Sequence, residues 1–231
     1  MARESGTASE HIYKEIRSMI ERGELKPGMR LIQRDLAKRL STSNIPIVEA
    51  IRRLEHDGLV VSKPNCGAQV VDMSSVEEIE SIIMIRSSLE QVAVRLCAVR
   101  ATDEQRAKLK ELAEKYKTSA TAGDRDKVRD IDVSIHSFIA KCSGSRILAR
   151  MISNSRVITN TMYNVYWLPP SKIVPDVHDD LVDAIVSGNA DLSAQIAKAH
   201  IERSLSVLHR VAEERGVRAQ MLGFPPASGS A

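Results

Sequence analysis

Four residues, Ser41-Thr42-Ser43-Asn44, separate two amphipathic helical segments, "QRDLAKRL" and "IPIVEAIRRLEHDG". A connection this short makes the second helix cross the first rather than continue it. Ser43 is the expected N-cap, and Pro46 falls in the first turn, where its missing N–H removes no helical hydrogen bond. The helix is expected to run to about Asp57 and to stop at Gly58. Upstream, Ile12, Ile16, Met19 and Ile20 recur at helical spacing before "ERGELKPGMRL" breaks the pattern. Downstream, the Val-rich runs "LVVSK" and "AQVVD" flank the turn signature "PNCG" and predict a two-stranded hairpin. Three helices and a hairpin predict a winged helix-turn-helix over residues 1–73.

Beyond "DMSS" no alternating strand pattern appears. The spacing predicts helices at about 75–100, 103–122, 124–141, 145–164, 176–187 and 190–214, broken by "TAGD", "CSGS", "WLPPSKIVP" and "SGNA". The fold class is therefore mainly α: the winged domain, then an antiparallel all-α bundle over 74–215. The tail, 216–231, has a disordered composition.

Composition narrows the function. Aromatic residues make up 3 % of the chain, too few for platforms that stack single-stranded bases. Net charge is +3, and residues 1–73 hold 12 Lys+Arg against 10 Asp+Glu, so a DNA partner must be argued from local placement. No apolar run approaches the roughly 18 residues that span a bilayer, and "MARESGTASE" has no signal-peptide core, so a cytoplasmic protein is expected. Cys66, Cys97 and Cys142 show no metal or disulfide spacing and read as reduced thiols.

On the helix after Ser43, Ile47, Ala50, Ile51 and Leu54 form one stripe for packing. Asn44, Val48 and Arg52 follow one another at intervals of four on another face. Asn can pair with an adenine edge and Val can touch a thymine methyl, while Arg52, Arg53, Arg34, Lys38 and Arg39 can hold phosphates. The arginines alone would equally suit a solvated face. An exposed Val among them favours the groove.

The second region contains a possible metal centre. Asp132 and His136 stand one turn apart on a helix. His178 and His200 lie ten and twelve residues on either side of Gly188, so antiparallel helices bring them to one level. Three imidazoles and a carboxylate suit zinc, nickel or manganese. His209 has no such partners and reads as a surface residue.

The stretch from Ile16 to Val70 resembles the N-terminal domain of GntR-family transcriptional regulators, whose glycines, prolines and helix cores fall in register with "IRSMIERGELKPGMRLIQRDLAKRLSTSNIPIVEAIRRLEHDGLVVSKPNCGAQV". The resemblance implies DNA binding, with Arg34 at a common contact position. It departs at Asn44, Val48 and Cys66, where family members usually carry Arg, which implies a non-standard operator or weaker affinity. Residues from about Val76 to Val211 resemble the FCD effector domain of the FadR subfamily, on "EIESIIMIRSSLEQVAVRLCA" and "HDDLVDAIVSGNADLSAQIAKAHIE". This likeness implies metal ligands at Asp132, His136, His178 and His200, a small carboxylate effector and a homodimer. Ser145 stands where the subfamily usually has Asn, a change expected to touch a local cap only. Arg86 matches an arginine that faces the subfamily's ligand cavity, and pairing with Glu90 one turn on is the alternative. Arg156, Asn160 and Tyr163 are further lining positions. The resulting expectation is a metabolite-responsive, DNA-binding homodimer. Two rivals stand beside it: a metal-dependent hydrolase or lyase using the same four ligands, and a DNA clamp whose bundle only dimerises.

Overall fold

The computed structural model describes residues 2–63, 67–72, 76–162 and 178–214. Helix α1 (Ala2–Glu21) precedes α2 (Gln33–Arg39) and α3 (Asn44–His56), and the strands β1 (Val60–Lys63) and β2 (Gly67–Val70) pair antiparallel with Val60 opposite Val70. Gly58 takes φ +74°, the left-handed conformation that lets the chain leave α3 and enter the hairpin. Ser43 has the extended backbone of an N-cap, but its side chain makes no capping bond, so Pro46 and the packed stripe carry the helix start. Ile12, Ile16, Met19 and Ile20 meet Ile47, Ala50, Ile51 and Leu54 in one buried core, closed from beneath by Leu59, Val60 and Val70.

The second region supplies α4 (Val76–Arg100), α5 (Asp103–Thr121), α6 (Arg125–Cys142), α7 (Arg146–Met162), α8 (Asp179–Val186) and α9 (Ala190–Glu214). Each predicted helix is present within a few residues, except that the expected start of α8 at about 176 lies outside the described residues. Thr102 and Gln105 form a reciprocal capping box at α5. Arg106 on α5 donates to the carbonyls of Ala98, Ile185 and Val186, so one guanidinium satisfies the exposed ends of α4 and α8. Ser145 still caps α7, accepting from the Leu148 N–H at 3.2 Å. The turn at Gly188 (φ +77°) reverses the chain between α8 and α9, as the placement of His178 and His200 requires. Cys97 and Cys142 are buried free thiols, and Cys66, Tyr163 and the tail lie outside the described residues. No helix among the described residues is long and apolar enough to cross a membrane.

Helix α7 belongs to both cores. Ile152 packs in the bundle, whereas Val157 is 2 % exposed inside the α1–α3 cluster. Around Val157 polar contacts tie α7 to the winged region. Arg17 donates to Asn154 and Ser153 at 2.8 and 2.7 Å, Asn154 donates to the Asp57 carbonyl, and Thr161 donates to the Ile20 carbonyl. Val157 is thus a core residue of the winged region supplied by a helix of the bundle.

Leu54 is fully buried where α3 meets α1. Leu54→Ala is expected to lower stability by about 2–5 kcal/mol, read from chemical denaturation.

Candidate metal and effector site

Asp132 and His136 rise from α6, His178 stands at the N-terminal cap of α8, and His200 comes from the middle of α9. One ligand atom from each lies within 4.8 Å of every other. The Nε2 atoms of His136 and His178 are 3.3 Å apart, and each faces Oδ1 of Asp132, at 3.6 and 3.2 Å. A tetrahedron of bonds near 2.05 Å has edges of roughly 3.3 Å, so three of these atoms already stand as ligands of one centre do. His136 and His178 are 3 % and 1 % exposed, and Asp132 keeps an edge toward solvent.

The surrounding side chains prepare the rings. Glu90 on α4 holds Nδ1 of His136 at 2.6 Å, which places the proton there and leaves Nε2 as a lone-pair donor. Sequence reasoning treated Glu90 only as a partner for Arg86. Its reach to His136 depends on how α4 crosses α6, which no spacing reveals. His200 receives Arg203 Nη2 at Nδ1, at 3.3 Å, which leaves Nε2 as its other ring nitrogen. Burial, and then the neighbouring His136 and His178, pushes the His200 imidazole down to about 3, so it is neutral at physiological pH. Burial and the Arg156 charge also lower His136, against the opposing pull of Glu90. Burial raises Asp132, but Arg156 and the His178 hydrogen bond outweigh it and hold the carboxyl well below its usual range. Neutral imidazoles and an ionised carboxylate are the protonation states metal ligation requires. The edge of Tyr116 closes the site against His178, with ring centroids 4.5 Å apart.

Two guanidiniums complete the cluster. Arg156 on α7 donates to Asp132 through Nη2 and to Glu90 through Nη1 at 3.3 Å, while its buried Nε has no partner among the described residues. Arg86 donates to Glu90 at 2.7 Å and to Thr159 at 3.1 Å, so the intrahelical alternative is the one realised. Asn160 turns away from the site: its amide donates to Glu21 of α1, because it lies on the face of α7 that docks the winged region. His209 is half-buried and paired with Glu80, contrary to its reading as an unpartnered surface residue.

On the winged region Arg34 and Arg52 are exposed, and Asn44 and Val48 line one flank of α3. Arg53 is drawn toward α1. It pairs with Glu10 at 2.7 Å and lies over the Tyr13 ring, 4.2 Å from its centroid, which takes it off the outward face expected from the sequence. Arg39 is paired with Glu24.

Residues 81–203 match the FCD domain, and residues 8–70 match the bacterial regulatory proteins of the gntR family. The chain belongs to the GntR family. A relative from Bacillus subtilis (strain 168), the uncharacterised HTH-type transcriptional regulator YdhC, is 26 % identical over 205 residues, spanning 87 % of this chain and 91 % of that one. The HTH-type transcriptional regulator McbR of Escherichia coli (strain K12) is 30 % identical over 141 residues, covering 61 % of this chain and 63 % of McbR. The solved structure of E. coli McbR/YncC superposes with TM-score 0.77 at 23 % identity, covering 88 % of this chain and 97 % of that one. A GntR regulator from Rhodococcus sp. RHA1 superposes with TM-score 0.68 at 19 % identity over 88 % of this chain and 98 % of its own. This GntR protein is therefore a DNA-binding transcription regulator with an FCD effector domain, and the hydrolase or lyase alternative is set aside.

Glu90→Gln removes the charge that fixes His136 while keeping its shape. Zinc affinity, measured against a competing chelator, is expected to fall about 10–100-fold. The metal-free variant should also lose about 3 kcal/mol, because two buried guanidiniums then share one carboxylate. Unchanged zinc affinity would restrict Glu90 to pairing with Arg86 and Arg156.

Proposed function

We propose that this GntR regulator is a homodimer whose operator binding responds to a small organic acid, taken up beside a divalent metal held by Asp132, His136, His178 and His200. The observation that carries the reading is the convergence of these four donors inside a shell that is otherwise electrically balanced. Arg86 and Arg156 offset Glu90 and Asp132, and burial lowers the pKa of His136 and His200. A bound divalent ion would supply two uncompensated positive charges and, if five- or six-coordinate, a position beyond these four donors for a ligand oxygen. A carboxylate answers one of these charges and a dicarboxylate both, whereas a neutral metabolite answers neither. Arg156 is the protein's own handle on that carboxylate. Its buried Nε lacks a partner among the described residues, and a guanidinium fork suits a carboxylate's two oxygens.

Transmission follows from neighbouring positions on one helix. Arg156 grips the site and Val157 sits in the core of the winged region. An effector that draws Arg156 away from Asp132 changes where α7 rests, and α7 carries α1 with it through Arg17, Asn160 and Thr161. For the effector to alter operator affinity tenfold, its affinities for the two placements must differ by about 1.4 kcal/mol.

The dimer reading rests on α4. Ile79, Ile83, Ala93, Val94 and Cys97 are buried on its inner side, yet its outer side presents Ile85, Val92 and Val99, 52 %, 48 % and 70 % exposed. A helix that is apolar all round is covered on both sides, and the seven-residue spacing of the outer stripe suits a second α4. Two copies related by a two-fold axis would face a two-fold operator.

The test combines metal analysis, a thermal-shift screen of dicarboxylates, hydroxy acids and sugar acids, and gel shifts on DNA next to the protein's own gene. Wild type should retain metal, respond to at least one acid, and change operator affinity at least tenfold in that acid. His178→Ala should lose all three responses. Metal-loaded protein that ignores every acid would reduce the bundle to a dimerisation device. Separately, Val92→Glu is expected to shift the protein to monomer in analytical ultracentrifugation while leaving its metal content unchanged.

A further inference from the structure

The outward face of α3 is centred on a residue that its sequence motif does not emphasise. At ~100° per residue the buried stripe of Ile47, Ala50, Ile51 and Leu54 fixes the inner pole of the helix. The opposite pole falls within about 30° of Ile45, Glu49 and Arg52, with Val48 about 70° and Asn44 about 110° away. Ile45 is 71 % exposed, the most exposed large apolar side chain among the described residues. It is the second residue of α3, in the turn whose side chains reach base edges when such a helix enters a major groove.

The helix-turn-helix also offers cations to a phosphate backbone. Arg34 and Lys38 of α2 and Arg52 of α3 are exposed and have no partner among the described residues. Glu49, beside Ile45, is occupied by the Ser9 hydroxyl of α1. An exposed apolar side chain at the pole of α3, with exposed cations on α2 and α3 to meet phosphate, suits a groove floor bearing methyl groups. In duplex DNA only thymine presents such a methyl in the major groove.

We infer that Ile45 is a specificity-determining residue that reads thymine methyl groups, so that half-sites for this protein contain an invariant thymine under the tip of α3. The inference rests on the operator-binding reading and deepens it. Asn44, on the flank, suits an adenine edge, so readout favours A·T pairs.

The test is a selection from random-sequence duplexes with the full-length protein, followed by affinity measurements on the selected site with thymine or deoxyuridine. The exchange removes one methyl and keeps base pairing. Wild type should lose about fourfold per methyl, the weight of one buried CH2 group. Ile45→Ala should keep its melting temperature, bind the thymine site as weakly as wild type binds the uracil site, and no longer distinguish them. Equal wild-type affinity for both sites, a selected site without an invariant thymine, or undiminished discrimination by Ile45→Ala each overturns the inference. If no duplex is retained, operator binding itself fails and the inference with it, an outcome the selection step alone reveals.

Discussion

Arg156 is the contact on which the rest of the molecule turns. A guanidinium that is 3 % exposed survives burial only if its charge is answered, and here Asp132 answers one nitrogen and Glu90 another. Glu90 in turn answers Arg86 and orients His136. The four charges and the imidazole form a connected set centred on Glu90, whose loss leaves Arg86 buried without a carboxylate. That connection makes the site respond as a unit, because the energy of an unpaired buried ion exceeds that of the packing around it.

The same residue links two hydrophobic cores. Its neighbour Val157 is enclosed by side chains of α1 and α3, so the joint is packed core rather than a loose hinge. Packed contacts move by discrete steps and not by gradual bending. The polar contacts at the joint, Arg17 with Asn154 and Ser153, and Asn160 with Glu21, fix the angle at which α1 leaves α7. The proposed switch between two DNA affinities needs such a joint, since a flexible tether would average over orientations.

Much of this was legible in the chain. The short Ser41–Asn44 turn and the flanking apolar stripes led directly to the three helices of the winged region, because periodicity reports burial. The similar spacing of His178 and His200 from Gly188, ten and twelve residues, was enough to bring the two rings side by side, 5.1 Å apart, because an antiparallel turn converts sequence distance into height. What escaped was set by helix crossing. Glu90 reaches His136, Asn160 faces α1 and His209 meets Glu80 only because of how α4, α6, α7 and α9 pack. Ile45 was passed over for a different reason. Stepping by four from Asn44 traces one flank of α3, and only the buried stripe locates the pole. Arg53 looked available for phosphate until the Tyr13 ring and Glu10 claimed it.

Helix α4 shows how these demands meet in one element. Its inner face delivers Arg86 and Glu90 to the site, while its outer face carries the exposed Ile85, Val92 and Val99. At 25 residues, roughly 37 Å long, it is rigid enough to hold both faces in fixed relation. If a second α4 covers the outer stripe, the charge cluster of one subunit lies one helix diameter from the seam, and any shift of Glu90 strains the pairing. Occupancy of one site is then felt at the other through a single helix. Cooperative response to a metabolite would follow from the apolar character of both sides of α4, with no further element needed.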